Sequence, residues 1–512
     1  MANREPGHAK GVPIPSCWVY VRPHEPKGTL MTYQFHSKPF AHQSEVFDRT
    51  AELKDYALFW EQGCGKTKPT IDTAAHLFEQ DKIDALVVVA PNGVHRNWIT
   101  DELPAHMPLR VMIRTRMEYW QSSTAKNKGQ QMAMDRLLKW DGLSILTISY
   151  DAFITETALA YLRKFFVSRR IMMVIDEAHS IKNPKAIRTK KITKASTLTT
   201  YRRALTGTPI TKPFDIYAQI NFLDDQFWRS KGISNYTAFK QYFGVWRTRQ
   251  LGHNRSFQEF VEYKNLEQLE KWIAEKGHRL TKDECLDLPP KLYAKRRFDL
   301  GPDCQRAYDS LRQTCMLELC GETITTELAI TLLLRLQQVT SGYIPGNDGK
   351  LHRLGDNARL DAFTEYAENI ERQAIVWARF TDDVTQICER LNEIEGKGSC
   401  VRYDGQVGDD ERAKAKAAFQ AGDVKWFVGN PQAGATGLTL VGAKHVAYYS
   451  NSFRLIDRLQ SEDRAHRIGQ TDPVDYVDFI ANSTVDEQIV KALREGFDIA
   501  GRLLGDQLRE WI

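Results

Sequence analysis

A chain of 512 residues is too long for one ordinary hydrophobic core, and a prior of about 150 residues per domain predicts two to four domains. With 26% charged and 42% hydrophobic residues it reads as a soluble globular protein, which excludes the disordered and fibrous classes. A formal net charge of +5 and a pI of about 8.6 are mildly basic, compatible with a nucleic-acid partner without requiring one.

Residues 1–34 begin MANREPGHAKGVPIPSCW, whose Pro, Gly and basic residues read as a flexible lead-in without the apolar stretch of a signal peptide. Short apolar runs then recur, each followed by a polar or glycine-containing turn: ALFWEQ at 57–62, ALVVVAP at 85–91, LSILTISY at 143–150, IMMVIDEAH at 171–179 and RRALTGTP at 202–209. Runs this short and this apolar predict strands buried on both faces, as in parallel sheet. Helical patterns such as TIDTAAHLFEQ at 70–80 lie between them, so the units are α/β. From about 215 to 345 the texture changes to aromatic and charged helical segments, NYTAFKQYFGVW at 235–246 and LEQLEKWIAEK at 266–276, broken by Leu288-Pro289-Pro290 and followed by TTELAITLLLRLQQV at 325–339. Apolar runs resume with AIVWARF at 374–380, VKWFVGN at 424–430, HVAYYS at 445–450 and VDYVDFI at 474–480, with the helical DERAKAKAAFQ at 410–420 among them. No run of about 18 apolar residues occurs, so no membrane span is predicted. The eight cysteines are scattered, with no CxxC pair and only Cys315 and Cys320 close together, which predicts reduced thiols and no zinc framework.

Several segments carry chemistry. Gln43, in PFAHQ, offers an amide able to read both the donor and acceptor edges of adenine. In GCGKT, Gly63 and Gly65 let backbone N–H groups close on phosphates, Lys66 would reach the β- and γ-phosphates, and the Thr67 hydroxyl would bind Mg²⁺. The longer phosphate-loop pattern wants glycine at position 60, where Trp60 stands. IDEAH ends a strand in two carboxylates: Asp176 is placed to hold Mg²⁺ and Glu177 to orient and deprotonate water, although Asp and Glu also cap helices. His179 is a candidate coupling residue, and LTGTP adds the hydroxyls of Thr206 and Thr208. QAGATGLTL brings small residues, Gly434 and Gly437, and the hydroxyls of Thr436 and Thr439, a composition suited to a phosphate backbone and equally to a tight strand–helix connection. QSEDRAHRIGQ holds Arg464 and Arg467 three apart behind Gln460. Such guanidinium forks can supply charge to a γ-phosphate, or lie on an amphipathic helix as solvated charges.

In order, PFAHQ, GCGKT, APNGVHRNW (90–98), ILTISYD (145–151), IDEAH, LTGTP, IVWARF, YDG (403–405), AGATGL and QSEDRAHRIGQ resemble the motifs of helicase superfamily two. DEAHSIKNP, RAHRIGQ, RLTKDECLDLPPK (279–291), LLLRLQQVTSG and STVDEQI (483–489) make the chain similar to the SWI/SNF-related family of DNA translocases over residues 35–495. Two positions depart from that family: Trp60 replaces an acidic residue before the phosphate loop, and His42 replaces the tyrosine before the adenine glutamine.

The resemblance implies an α/β fold of two RecA-like parallel-sheet lobes with a helical insertion of protrusions between them. Its boundaries are a first lobe over 35–214, protrusions and linker over 215–345, a second lobe over 346–495 and a tail helix over 496–512. It implies ATP and Mg²⁺ as ligands. Gln43, Gly63, Gly65, Lys66, Thr67, Asp176 and Gln460 would bind them, with Thr67 and Asp176 on the metal and Lys66, Glu177, Arg464 and Arg467 in catalysis. Asn92, Trp98, Ser149, Tyr150, Gly405, Gly434, Thr436 and Gly437 fall in its DNA-facing segments. The expected partner is double-stranded DNA, held through its phosphates with little sequence preference, together with DNA-bound proteins, and the chain is expected to act as a monomer. Strand separation or annealing at forked DNA are the alternative activities, although no wedge element is recognisable. A non-catalytic binding protein would be expected to lack Lys66, Glu177 or an arginine, and all are present. The absence of chromodomain-, bromodomain- or finger-like appendages points to a bacterial or viral source and a cytoplasmic location.

Overall fold

The computed structural model describes residues 33–207, 212–251, 255–321, 326–346, 350–434 and 438–495. The lead-in up to residue 32, Thr208, Thr436, Gly437 and the tail helix expected over 496–512 lie outside the described residues. These fall into two compact units, one within 33–61 and 65–281, the other within 62–64 and 282–495. No helix among the described residues is long and apolar enough to cross a membrane.

The strands of the first unit are β1 (Asp55–Trp60), β2 (Ala85–Ala90), β3 (Thr115–Tyr119), β4 (Leu143–Ser149), β5 (Ile171–Asp176), β6 (Tyr201–Leu205), β7 (Gly244–Leu251), β8 (Arg255–Tyr263) and β9 (Gly277–Leu280). Seven of them form one sheet in the order β3-β4-β2-β5-β6-β1-β9, every neighbouring pair parallel. β2 and β4 are buried along their whole length, as continuous apolar runs require when helices cover both faces. β9 lies so close to β1 that a Cβ on Gly277 would come within 2.6 Å of the Ala57 carbonyl, which only glycine avoids.

The second unit holds β10 (Lys291–Phe298), β11 (Tyr343–Pro345), β12 (Leu351–Arg353), β13 (Ala374–Trp377), β14 (Cys400–Tyr403), β15 (Trp426–Gly429), β16 (His445–Tyr448) and β17 (Val474–Ala481). Its main sheet runs β10-β17-β16-β13-β15-β14, again parallel throughout. The two-residue period divides its side chains between two cores. Ala374, Val376, Val428, Ala447 and Phe479 enter one; Ile375, Trp377, Phe427, Val446 and Tyr476 enter the other. Two parallel α/β sheets match the expected pair of lobes.

The stretch 215–345 holds strands as well as helices. The helices Ile216–Leu223, Tyr236–Phe243 and Leu266–Ala274 place Ile216, Ile220, Phe239, Phe243, Leu269 and Ile273 in the core of the first unit. Gly244 ends the second of these helices, and β7 pairs antiparallel with β8 as a separate hairpin. β9 completes the first sheet and β10 the second, so the chain passes from one unit to the other after Thr281. The helix Thr326–Thr340 belongs to the second unit, where Leu332, Leu333, Leu336 and Val339 pack against Tyr308, Phe453, Val485 and Ile489.

STVDEQI has a structural use here. Arg359, fully buried, donates from Nε to the Thr340 carbonyl (3.1 Å) and from Nη1 to the carbonyls of Tyr449 (2.6 Å) and Phe479 (3.2 Å). Its Nη2 is shared between Thr340 Oγ1 and the Asp486 carboxylate. One guanidinium therefore ties together the linker helix, the ends of β16 and β17, and the start of the helix Val485–Arg494. A buried charge is tolerated in this way only when its donors are satisfied.

Candidate functional site

In a parallel sheet every strand delivers its following loop to the same edge, and ligands of open α/β folds gather there. The first unit places five such loops in the spatial order β4-β2-β5-β6-β1. They carry Ser149 and Tyr150, Asn92 to Trp98, Asp176 and Glu177, Thr206, and Gly65 to Thr67. Motifs scattered over about 150 residues of sequence therefore become neighbours.

Gly63 and Gly65 take φ of +86° and +73°, the left-handed region where glycine alone is unstrained. A Cβ on Gly65 would collide with the Gln43 amide. That amide is held from both sides: the Phe40 N–H donates to Oε1 at 2.9 Å, and Nε2 donates to the Gly65 carbonyl at 3.0 Å. Gln43 retains one amide hydrogen and one lone pair, enough for the two edges of a base. Lys66 precedes the helix Thr67–Glu79, and its ammonium donates to the carbonyls of Trp60 (2.9 Å) and Glu61 (3.1 Å). Trp60, at the position where an acid was expected, is fully buried, and its indole N–H meets His278 Nε2 at 3.0 Å.

Asp176 ends β5. Burial and the neighbouring Glu177 hold its carboxyl above the usual range, against the opposing hydrogen bond from Trp98 and the charge of Lys66. Such a carboxylate is one that a divalent cation would stabilise in its charged form. An Asp carboxylate and a Thr hydroxyl such as that of Thr67 are the hard oxygen donors that would suit Mg²⁺. The residues present fit that ion. Glu177 adopts a left-handed φ of +54°, a conformation costing about 1–2 kcal/mol outside glycine. His179 Nδ1 lies 3.4 Å from Glu177 Oε2 and 3.2 Å from Thr206 Oγ1, joining IDEAH to LTGTP.

In the second unit the helix Leu455–Glu462 stops before either arginine, so Arg464 and Arg467 sit in the turns that follow, not on an amphipathic helix. Both guanidiniums reach the Leu438 carbonyl, at 3.4 and 3.2 Å, and the Leu440 N–H donates to the Arg464 carbonyl at 2.9 Å. Leu438 and Leu440 are thereby joined to DRAHRIGQ. Gln460 is buried within the helix. RLTKDECLDLPPK, noted only as a family phrase, braces this loop. Lys282 bonds the His466 carbonyl at 2.6 Å and the Asp463 carboxylate, and His466 Nε2 lies 2.7 Å from the Pro289 carbonyl. Lys291 Nζ and the Tyr293 hydroxyl meet Glu462 Oε2 at 3.0 and 2.8 Å. Burial would lower Lys291, but Asp463 and Glu462 outweigh it and hold the ammonium above its usual range. Unpaired-looking acids and bases in the sequence gave no sign of this brace.

The expected DNA-facing residues divide. Asn92 and Gly405 are exposed, and Gly405 follows Asp404, a carboxylate held by Arg402 (2.6 Å). Gly434 closes the short helix Pro431–Gly434. Trp98 and Tyr150 are corrected: at 1% and 3% exposure they turn inward, because a large ring with one polar atom is buried most favourably where that atom finds a partner. Trp98 Nε1 donates to Asp176 Oδ2 at 2.9 Å, and the Tyr150 hydroxyl to the Asp176 carbonyl at 2.7 Å. Ser149, also buried, caps the next turn by accepting from the Ala152 N–H at 3.2 Å.

Two family models match in tandem, the SNF2-related domain over residues 49–341 and the helicase conserved C-terminal domain over residues 357–469. The chain is similar to the ISWI chromatin-remodeling complex ATPase CHR11 of Arabidopsis thaliana, 27% identical over 84% of this chain and 39% of that protein. Chromatin structure-remodeling complex subunit snf21 of Schizosaccharomyces pombe is 25% identical over 87% of this chain and 37% of its own length. The DNA annealing helicase and endonuclease ZRANB3 of Mus musculus is 25% identical over 87% and 38%. A solved structure, the Sulfolobus solfataricus SWI2/SNF2 ATPase core in complex with dsDNA, aligns at 22% identity and a TM-score of 0.41 over 94% of this chain and 98% of that one.

These relatives correct the expected bacterial or viral source and cytoplasmic location, since they come from a plant, a yeast and a mouse and two are named for chromatin remodelling. The expectation was read from missing accessory modules. A chain spanning 39% or less of these relatives' length carries no information about such modules.

Proposed function

The chain belongs to the SNF2-related family of helicase-like ATPases, and on that premise we propose that it is a DNA-dependent ATPase that translocates on double-stranded DNA, remodelling or displacing bound protein or DNA structures. The observation that carries this reading is the row of loops on one sheet edge that holds Gly65, Lys66, Thr67, Asp176 and Glu177, with Gln43, from the helix Ala41–Thr50, bonded to Gly65.

Gln43 reads adenine with the hydrogen and lone pair its own contacts leave over. The backbone of Gly63 and Gly65 and the start of the helix at Thr67 receive phosphate oxygens, and Lys66 exchanges two carbonyls for phosphate charge. Thr67 and Asp176 would hold Mg²⁺, which when bound neutralises charge on the β- and γ-phosphates. Glu177 orients water and takes its proton. Arg464 and Arg467 supply positive charge to the transferring phosphoryl group, with Gln460 beside them, and the brace at Lys282 and Lys291 keeps their loop in place. Asn92, Gly405 and Gly434 are the described residues offered to the phosphate backbone of DNA.

The test is ATP turnover measured in parallel with duplex, single-stranded and forked DNA and with RNA. Duplex DNA at low salt should stimulate most, and stimulation should fall steeply with salt as counterions are released. Turnover indifferent to duplex DNA would sink the translocase reading, and turnover surviving in Lys66→Ala or Glu177→Gln would sink the site. The similarity to the annealing helicase ZRANB3 supports a second reading, rewinding of forked or coated DNA, which a reannealing assay separates from translocation on plain duplex.

A further inference from the structure

Two hydrogen bonds hold one peptide unit of the first sheet, and a third holds the carboxylate that one of them reaches. The carbonyl of Asp176 accepts from the Tyr150 hydroxyl at 2.7 Å. The N–H at the other end of the same peptide, that of Glu177, donates to Asp176 Oδ1 at 3.0 Å. The second oxygen of that carboxylate accepts from the Trp98 indole N–H at 2.9 Å. The plane between Asp176 and Glu177 is thus held at its carbonyl by one aromatic donor. At its N–H it is held by a carboxylate that a second aromatic donor holds in turn.

The orientation of this plane sets where the Glu177 side chain points, whereas the Asp176 side chain leaves a residue anchored in β5. It also explains how Glu177 keeps a left-handed φ of +54°, since strained backbone persists only where its surroundings over-determine it. A buried indole N–H requires some partner, and a main-chain carbonyl of the sheet edge would have served Trp98 as well as the Asp176 carboxylate does. Trp98 opens the π-helical turn Trp98–Glu102 and Tyr150 opens the short helix Tyr150–Phe153, so the two reach Asp176 from the loops after β2 and β4, on the same side of β5 in the sheet.

We propose that Trp98 and Tyr150 are positioning residues: Trp98 orients the Asp176 carboxylate for its divalent cation, and Tyr150 fixes the peptide that aims Glu177. The proposal rests on the reading of Asp176 and Glu177 as the Mg²⁺ ligand and general base. The two residues have separable signatures. Partners that orient a metal-binding side chain are typically worth about 10–100-fold in metal affinity or activity. Trp98→Phe keeps the buried ring and deletes the N–H, so the Mg²⁺ concentration for half-maximal binding of a fluorescent ATP analogue should rise by about 10-fold or more. Tyr150→Phe should leave that concentration unchanged and lower kcat without raising the KM for ATP.

The decisive experiment titrates Mg²⁺ against fluorescent-ATP binding for the full chain, Trp98→Phe, Asp176→Asn and the double variant, with thermal unfolding in the absence of Mg²⁺ and nucleotide as the measure of structure. Trp98→Phe should add nothing once Asp176 is neutralised. Equal Mg²⁺ dependence in wild type and Trp98→Phe, or independent effects of the two substitutions, would overturn the proposal. If Trp98→Phe does not fold, the Tyr150→Phe split between kcat and KM decides alone, an unchanged kcat overturning it. A wild-type chain that shows no Mg²⁺-dependent nucleotide binding would instead refute the underlying ATP site, which keeps the two failures distinct.

Discussion

Asp383 carries a prediction independent of nucleotide. It lies in the first turn of the helix Thr381–Glu395, fully buried, and accepts from Ser450 Oγ at 2.7 Å and Ser341 Oγ at 3.4 Å. Burial pushes its carboxyl up from 3.8 to about 7; the serine hydroxyls and the charge of Arg359 oppose the shift, and Asp382 adds to it. The folded value lies above the unfolded one, so between these pH values the folded state holds a proton that the unfolded state has released. Stability from this group is therefore complete below pH 3.8 and is lost as pH rises to about 7. At about 1.36 kcal/mol per pH unit the full window amounts to about 4 kcal/mol. Asp383→Asn is neutral throughout and keeps an acceptor for Ser450. Urea unfolding followed by tryptophan fluorescence, at intervals from pH 4.5 to 8, should show the variant gaining on wild type as pH rises and exceeding it at pH 8. Taking the difference between the two proteins cancels every other titrating group. A difference that stays constant with pH would refute the buried, proton-holding carboxyl.

Arg359→Lys replaces five donors by three and should destabilise the chain by about 2–4 kcal/mol in the same urea assay, because buried acceptors and Asp486 lose partners; an unchanged midpoint would remove its tying role. Gly65→Ala should cost about 1–2 kcal/mol from its left-handed backbone alone and also displace the Gln43 amide. Fluorescent-ATP binding should therefore fall, and binding at wild-type strength would mean the loop is not the nucleotide cradle. Arg467→Ala should still bind ATP and hydrolyse it about 10³–10⁵-fold more slowly; normal turnover would withdraw the arginine from the chemistry.

The strands legible in the sequence were those buried on both faces. ALVVVAP, LSILTISY and IMMVIDEAH admit few other fates, and the loops that follow them necessarily share an edge once the sheet is parallel. The β9 strand was illegible because GHRL is four residues with no apolar period, and its place is set by a glycine that lets it approach Ala57. KLYAKRRF hides β10 for another reason: it is a mostly exposed edge strand, and its lysines and arginines are what such an edge carries. The helical segment expected over 235–246 ends at Gly244, where β7 begins. At the site, residue types and their order were readable, but side-chain direction was not. Nothing in APNGVHRNW or ILTISYD distinguishes a ring turned to solvent from one turned on Asp176. Nor does TDDVTQ show in sequence that Asp383 is enclosed.

The late arrival of β9 and β10 has a consequence for how the protein is made. Gly277 leaves the ribosome 72 residues after Leu205, so at 5–20 residues per second the exposed side of β1 waits about 4 to 14 s for its neighbour. β10 waits longer, since Val474 follows Phe298 by 176 residues, about 9 to 35 s of synthesis. Through that interval the nascent chain exposes a strand with no partner. Its four basic residues, Lys291, Lys295, Arg296 and Arg297, repel a second copy of the same strand on a neighbouring chain. The charge that made β10 hard to recognise is therefore also a safeguard during translation, holding the strand apart until β17 emerges.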